Sequence, residues 1–282
     1  MAHAARWPRA GKVLREPLGA LGVGLVLIVV IGSIMAPWLT AYEPSAISPR
    51  DRFLDPSGTH LLGTDQLGRD LLTRILHGGR IALFVALVTT AISLGIGIVL
   101  GLIAGYGPRW LDNLMILVFD ALKSFPTVML ALALVTLTGP SLSAVMLVVV
   151  LVNVPGYARI IRTQTIALKS AEFVTAAQSM GASTARILRV HILPNVIGPI
   201  VILASMDIPV VIAIEAGMSF LGLGVRPPTP SWGSILNDGF ANIRESPWIA
   251  IAGGLPIILV TLGFTFLGET LRDVFDPRLK GR

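Results

Sequence analysis

Six apolar stretches constrain this chain more than any other feature. A helix needs about 20 apolar residues to cross the hydrocarbon core of a bilayer. The stretches run from about Leu18 to Leu39, Ile81 to Tyr106, Leu114 to Thr138, Leu142 to Ile161, Val196 to Leu223 and Trp248 to Leu271. The 282 residues are 54% hydrophobic and 13% charged, against roughly 25% charged in soluble domains. A soluble fold is excluded, and an all-α membrane protein with six transmembrane helices is expected. The first stretch follows a basic start (Arg6, Arg9, Lys12, Arg15). Its apolar run exceeds the roughly 7–15 residues of a signal peptide core, so it reads as an uncleaved first span.

Lysines and arginines set the expected orientation. With a cytoplasmic N-terminus, the inner segments hold the four basic residues of the start, Arg109, Arg159, Arg162, Lys169, Arg186, Arg189 and the basic tail from Arg272. The outer segments hold fewer: Arg50, Arg52, Arg69, Arg74, Arg80, Arg226 and Arg244. An excess of basic residues marks cytoplasmic loops, so both termini are expected inside. The net charge of +6 does not imply nucleic acid, because these residues sit in short loops and tails. With no cysteine, thiol chemistry and disulfides are excluded. The four histidines (His3, His60, His77, His191) are scattered and make no local metal site.

Between the fourth and fifth stretches lies a polar and amphipathic island, Glu172 to Asn195. Phe173, Ala176, Ala177 and Met180 recur at helical spacing and predict an apolar stripe. Glu172, Thr175, Gln178 and Ser179 form the opposite face. Gly181 supplies a left-handed helix stop at low steric cost. Ser183 or Thr184 then caps a second helix carrying Arg186 and Arg189. Pro194 ends that helix or marks entry to the fifth span. Docking of a soluble partner and a position on lipid headgroups both fit such an element.

At these residues the chain resembles the EAA loop of binding-protein-dependent ABC importer permeases. The family pattern is Glu-Ala-Ala, three residues, Gly, nine residues, then Ile-x-Leu-Pro. Ala176, Ala177, Gly181, Leu193 and Pro194 match at that spacing, while Thr175 replaces the Glu and His191 the Ile. The stretch from His60 to Arg80, the Ser124–Pro126 triplet, the segments from Pro155 to Arg162 and Ser219 to Gly233, and the tail DVFDPRLKGR are similar to the same family. Together they resemble the C-type permease subunit of dipeptide, oligopeptide or nickel ABC importers.

The resemblance implies a type I ABC importer permease fold with a cytoplasmic coupling helix between spans four and five. It implies three parts: residues 1–79 as N-terminus, first span and outer loop, 80–271 as a five-helix transport core, and 272–282 as a cytoplasmic tail. Glu172, Phe173, Thr175, Ala176, Ala177, Gly181, Ala182 and Ser183 are the implied contacts with the ATPase. The chain has no Gly-x-x-x-x-Gly-Lys-Ser/Thr phosphate loop, so ATP and Mg are expected on partner subunits and none on this chain. The implied partners are a second homologous permease, two ATPase subunits or one fused two-domain ATPase, an extracytoplasmic binding protein, a peptide substrate and membrane lipid. The expected location is a bacterial inner membrane.

Four charges inside the apolar stretches are candidates for a translocation path: Asp120, Lys123, Asp207 and Glu215. A charge at the bilayer centre costs at least about 2.5–3.5 kcal/mol on insertion scales. Asp120 and Lys123 lie three apart on one helix face and are expected to neutralise each other. Structural pairing across helices is the competing reading of all four. Candidate contacts for a binding protein are Arg69, Asp70, Pro227, Pro228 and Trp232, with Arg69–Asp70 also readable as a local ion pair. Gly97, Gly101 and Gly105 predict close helix packing. Nickel, glutathione or another small solute remain alternative cargoes. An ion-coupled secondary transporter is the alternative class, in which the buried charges would carry the coupling.

Overall fold

The computed structural model describes residues 10–275. The basic start before residue 10 and most of the C-terminal tail therefore lie outside the described residues. The elements are α1 (Pro17–Ile34), α2 (Ala36–Leu39), α3 (Leu71–Tyr106), α4 (Arg109–Ser124), α5 (Thr127–Thr138), α6 (Leu142–Lys169), α7 (Glu172–Ser179), α8 (Thr184–Arg186), α9 (Leu193–Phe220), α10 (Trp232–Ala241) and α11 (Pro247–Phe275). Short 3-10 turns occupy Ala10–Arg15 and Pro49–Asp51. The described residues form helices and loops, with one isolated antiparallel bridge between Thr64 and Asp70.

Among the described residues, five helices are long and apolar enough to cross a membrane: Pro17–Ile34, Leu71–Tyr106, Leu142–Lys169, Ile200–Phe220 and Pro247–Asp273. The stretch read as a single third span is two helices instead. α4 and α5 meet at an 89° bend around Phe125 and Pro126. Pro126 lacks an amide hydrogen and holds Phe125 in extended backbone (φ −84°, ψ 127°), which ends α4 at Ser124. The bend coincides with a polar interruption of the apolar stretch, with Asp120, Lys123 and Ser124 just before Pro126. Pro155 and Pro256 are carried inside their helices.

The chain divides into two compact units: residues up to 86 with 140–142 and 205 onward, and residues 87–139 with 143–204. In the first unit α1 and α10 each pack on α11. Glycines set the closeness of approach. A Cβ on Gly22 would lie 2.8 Å from the Gly263 carbonyl oxygen, and one on Gly239 would lie 2.2 Å from the Ala250 amide nitrogen. In the second unit Gly97, Gly101 and Gly105 do what their spacing predicts. Cβ atoms there would fall 2.6 Å from Tyr157 Cβ, the Ala158 carbonyl oxygen and Thr165 Cβ respectively, so α3 and α6 meet nearly backbone to backbone. Small residues at such a seam replace side-chain bulk with van der Waals contact.

Candidate functional site: a surface helix and a buried charge frame

Two arrangements hold most of the residues singled out from the sequence, one in each unit.

The first is α7 with the turn that follows it. Its core side is not the stripe that spacing alone predicts. Val174 and Ala177 are buried, whereas Phe173 is 44% and Met180 81% exposed, with Ala176 also exposed. Val174 and Ala177 join one apolar cluster with Tyr157 and Ile161 of α6, Ile187 and Ile192, and Val196, Ile200 and Ala204 of α9. The reason is rotational. Val174 lies one residue round from Phe173, and the α6 and α9 contacts fall on the Val174 side. A second apolar stripe of Phe173, Ala176 and Met180 is thereby left outward, beside Glu172 and Thr175.

Gly181 ends α7 as expected, with φ +79°. Nothing lies within 4 Å of a Cβ built there, so backbone conformation rather than space is what favours glycine. The Ser183 hydroxyl caps α8 by accepting from the Arg186 amide at 3.4 Å. The second helix is shorter than its pattern implies. α8 passes directly into a π-helical segment, Ile187–Ile192, and then into α9. Arg186 and Arg189 thus lie on different segments, and Pro194 is the second residue of α9, directly after the π-helical segment, at the entry to the fifth apolar stretch. Lys169 donates to the Tyr106 carbonyl at 2.9 Å, and Gln178 to the Tyr106 hydroxyl at 3.0 Å, pinning both ends of the α6–α7 corner. Phe173 lies 6.4 Å from the His191 ring.

The second arrangement is a charge frame built from the loop before α3 and from α10. Arg69 Nε donates to Asp65 Oδ2 at 2.6 Å, and Arg69 Nη2 to Asp238 Oδ2 at 3.2 Å. Arg74 approaches the same two carboxylates, at 3.4 Å from Asp65 and 3.5 Å from Asp238. Arg69, Arg74 and Asp65 are buried. Burial raises the Asp238 carboxyl above its ordinary range, with Arg74 and Arg69 pulling the other way. Arg69 and Asp70 do not pair with each other. Asp70 instead meets His60 Nδ1 at 2.9 Å and closes the start of α3, accepting from the Thr73 amide and hydroxyl at 2.8 and 2.7 Å. Adjacent residues point apart, which is why sequence neighbours found separate partners.

Trp232 anchors this frame. It is 1% exposed, and its indole N–H donates to the Ile75 carbonyl at 2.8 Å. Gly78 and Gly79 make room for its ring, and Ser231 and Ser234 form a reciprocal capping box at the start of α10. Pro227 and Pro228 stay exposed. They border a cavity of about 280 Å³ whose walls include Arg69, Arg74, Arg226, Asn237 and Asp238.

The intramembrane charges are placed differently from expectation. Asp120 does not pair with Lys123. Its carboxylate accepts from Arg159 of α6, and Asp112 likewise accepts from Arg162. Lys123 is in the last turn of α4, next to the bend, and exposed. Asp207 is half-buried in α9. Glu215 is fully buried and accepts from the Ser219 hydroxyl at 2.8 Å. Asp65, Arg74 and Asp238 escaped sequence reasoning. The i, i+4 spacing of Asp65 and Arg69 was the only local signal, since Asp238 lies far along the chain from both.

Comparison with known proteins identifies relatives. A family model described as binding-protein-dependent transport system inner membrane component matches residues 97–281. The chain is 40% identical over 276 residues to the dipeptide transport system permease protein DppC of Alkalihalophilus pseudofirmus, covering 97% of this chain and 90% of that one. It is 39% identical over 270 residues to the glutathione transport system permease protein GsiD of Pectobacterium atrosepticum, covering 95% and 90%. Among solved structures, the inward facing MetNI methionine ABC transporter matches with TM-score 0.53 at 18% identity, covering 71% of this chain and 95% of that one. At that identity the likeness speaks for the fold alone.

Proposed function

This chain belongs to the family of binding-protein-dependent transport system inner membrane components, and from that premise we propose that it is the permease subunit of an ATP-driven importer of dipeptides or short oligopeptides. It is a multi-pass membrane protein. In our reading α4 and α5 make one broken span, giving six, and both termini face the cytoplasm of a bacterial inner membrane. A second homologous permease completes the translocation path. Two ATPase subunits, or one fused pair, carry ATP and Mg. An extracytoplasmic binding protein delivers the cargo.

The observation that carries this reading is the double face of α7. Val174 and Ala177 hold it in the core while Phe173, Ala176 and Met180 stay exposed. A helix fixed on one side with apolar residues left on the other is built to receive a partner. We assign it, with Glu172, Thr175, Gly181, Ala182 and Ser183, as the coupling helix seated on the ATPase. ATP binding then favours an outward-open arrangement and hydrolysis returns the inward one, an equilibrium between two discrete states that nucleotide and cargo both bias. Asp120, Lys123 and Asp207 are assigned to the path. Glu215, held by Ser219, enters it only in a state where that bond opens. The exposed Pro227 and Pro228 are assigned to the docking face for the binding protein, with the buried Arg69, Asp70 and Trp232 shaping that face from beneath.

Relatives named for dipeptides and for glutathione match almost equally well, and glutathione is itself a small peptide, so it is kept as a second cargo. The test is reconstitution of the chain with its second permease and ATPases in proteoliposomes containing ATP. Uptake of labelled dipeptide that needs both ATP and the binding protein is expected. Uptake driven by an ion gradient without ATP would overturn the reading. Glutathione that competes more strongly than dipeptides would decide for the second cargo.

A further inference from the structure

The cavity beside Pro227 and Pro228 has a chemistry that the transport reading leaves unused. Its volume is about 280 Å³. Small-molecule sites commonly measure about 300–1,000 Å³, so this one suits a single side chain better than a free peptide. Three guanidinium groups (Arg69, Arg74 and Arg226) line it against one carboxylate, Asp238. Counting Asp65, which lies just behind the wall and pairs with Arg69, positive charge still leads.

The resident carboxylate leaves donors to spare. Charge-assisted N–H···O bonds are normally about 2.7–2.9 Å long. Asp65 meets that standard with Arg69 at 2.6 Å, but Asp238 stands 3.2 Å from Arg69 and 3.5 Å from Arg74. Arg74, 3% exposed in its side chain, has no acceptor at Nη1. Arg226 is exposed and makes no ion pair among the described residues. The long Asp238 contacts and the exposed Arg226, rather than Arg74 Nη1, which is closed off from the cavity, favour an incoming carboxylate. An ammonium group would meet three like charges, and an apolar plug would strip water from the arginines with no return.

We infer that the cavity walled by Arg69, Arg74, Arg226 and Asp238 is a seat for an acidic side chain of the extracytoplasmic binding protein, with Arg226 as its entry cation. This rests on the reading above and names the chemistry of that docking face. The exposed prolines fix the shape of the mouth, and the Asp65–Arg69 pair fixes its floor. Charge complementarity of this kind governs which partner docks and how fast.

The test uses the complete permease–ATPase complex in lipid nanodiscs and its co-encoded binding protein. Arg226→Glu is expected to weaken docking by at least about tenfold, and Arg226→Lys by less than about threefold. Asn237→Asp, which adds negative charge to the opposite wall, is expected to act in the same direction. A single Asp or Glu to Lys change on the binding protein is expected to restore docking to Arg226→Glu. Wild-type affinity in both Arg226→Glu and Asn237→Asp overturns the inference. So does a wild-type complex that docks an amidated-peptide-loaded binding protein as poorly as Arg226→Glu docks the normal one, because the occupant is then the C-terminal carboxylate of the cargo. If the wild-type complex does not bind the binding protein at all, the functional reading itself falls and this inference with it.

Discussion

Three glycines show how one residue type answers to different forces. Gly181 is glycine because its backbone is left-handed, in open space. Gly101 is glycine because α6 is in the way, with Ile161 Cβ and the Ala158 carbonyl oxygen each 2.6 Å from a Cβ. Gly68 answers to both, with φ +73° and the Ser48 carbonyl oxygen 1.8 Å away. Gly181→Ala is therefore expected to lose only about 1–2 kcal/mol, a few degrees in the melting of the purified complex. Gly101→Leu is expected to prevent accumulation of the folded protein, which membrane yields would report. Charges sort in the same way. The Asp120–Arg159 pair has side chains 58% and 43% exposed, so in the water-filled path proposed for it Asp120→Asn is expected to leave melting within about 1 kcal/mol of wild type. Asp65→Asn removes the short partner of buried Arg69 and leaves Asp238 alone against two buried guanidiniums, so it is expected to lose about 3–5 kcal/mol, read from thermal or denaturant unfolding.

At the scale of elements, the two faces of α7 separate stability from the coupling proposed for it. Val174→Ala removes two buried methyl carbons and is expected to destabilise by about 2 kcal/mol. Phe173→Ala and Met180→Ala remove exposed carbons, so melting is expected to stay put. Their expected effect is a lower ratio of cargo moved to ATP hydrolysed, measured in proteoliposomes. An unchanged ratio in the double variant would count against α7 as the coupling element. The glycine stop and the serine cap of this loop were legible in the sequence because each depends on its own backbone. The rotation of α7 was not, because Phe173 and Val174 are both apolar and only the position of α6 and α9 selects between them. The π-helical stretch Ile187–Ile192 escaped for a related reason, since it leaves the hydropathy of its segment unchanged, whereas the bend at Pro126 carries its own signal in the proline and in Asp120, Lys123 and Ser124 before it. Partner choice by Asp120 was hidden too, since a neighbour three residues away and one across a helix seam look alike until the seam is known.

At the scale of the whole molecule, six apolar stretches follow from hydropathy, while the number of spans depends on how α4 and α5 lie. The natural absence of cysteine makes this directly measurable. Single cysteines at Arg109 and Thr138 are expected to react with a membrane-impermeant maleimide from opposite sides of the membrane. Reaction from one side only would make the pair a re-entrant loop and reduce the spans to five. α7, the π-helical stretch and the first turns of α9 share a single apolar cluster with α6. A push delivered to the exposed stripe cannot be absorbed by a slack tether, because there is none between that stripe and the long helix behind it. If α7 is the element that meets the ATPase, the loop would work as a crank, its stiffness more than its affinity deciding how much of a nucleotide-driven stroke reaches the membrane.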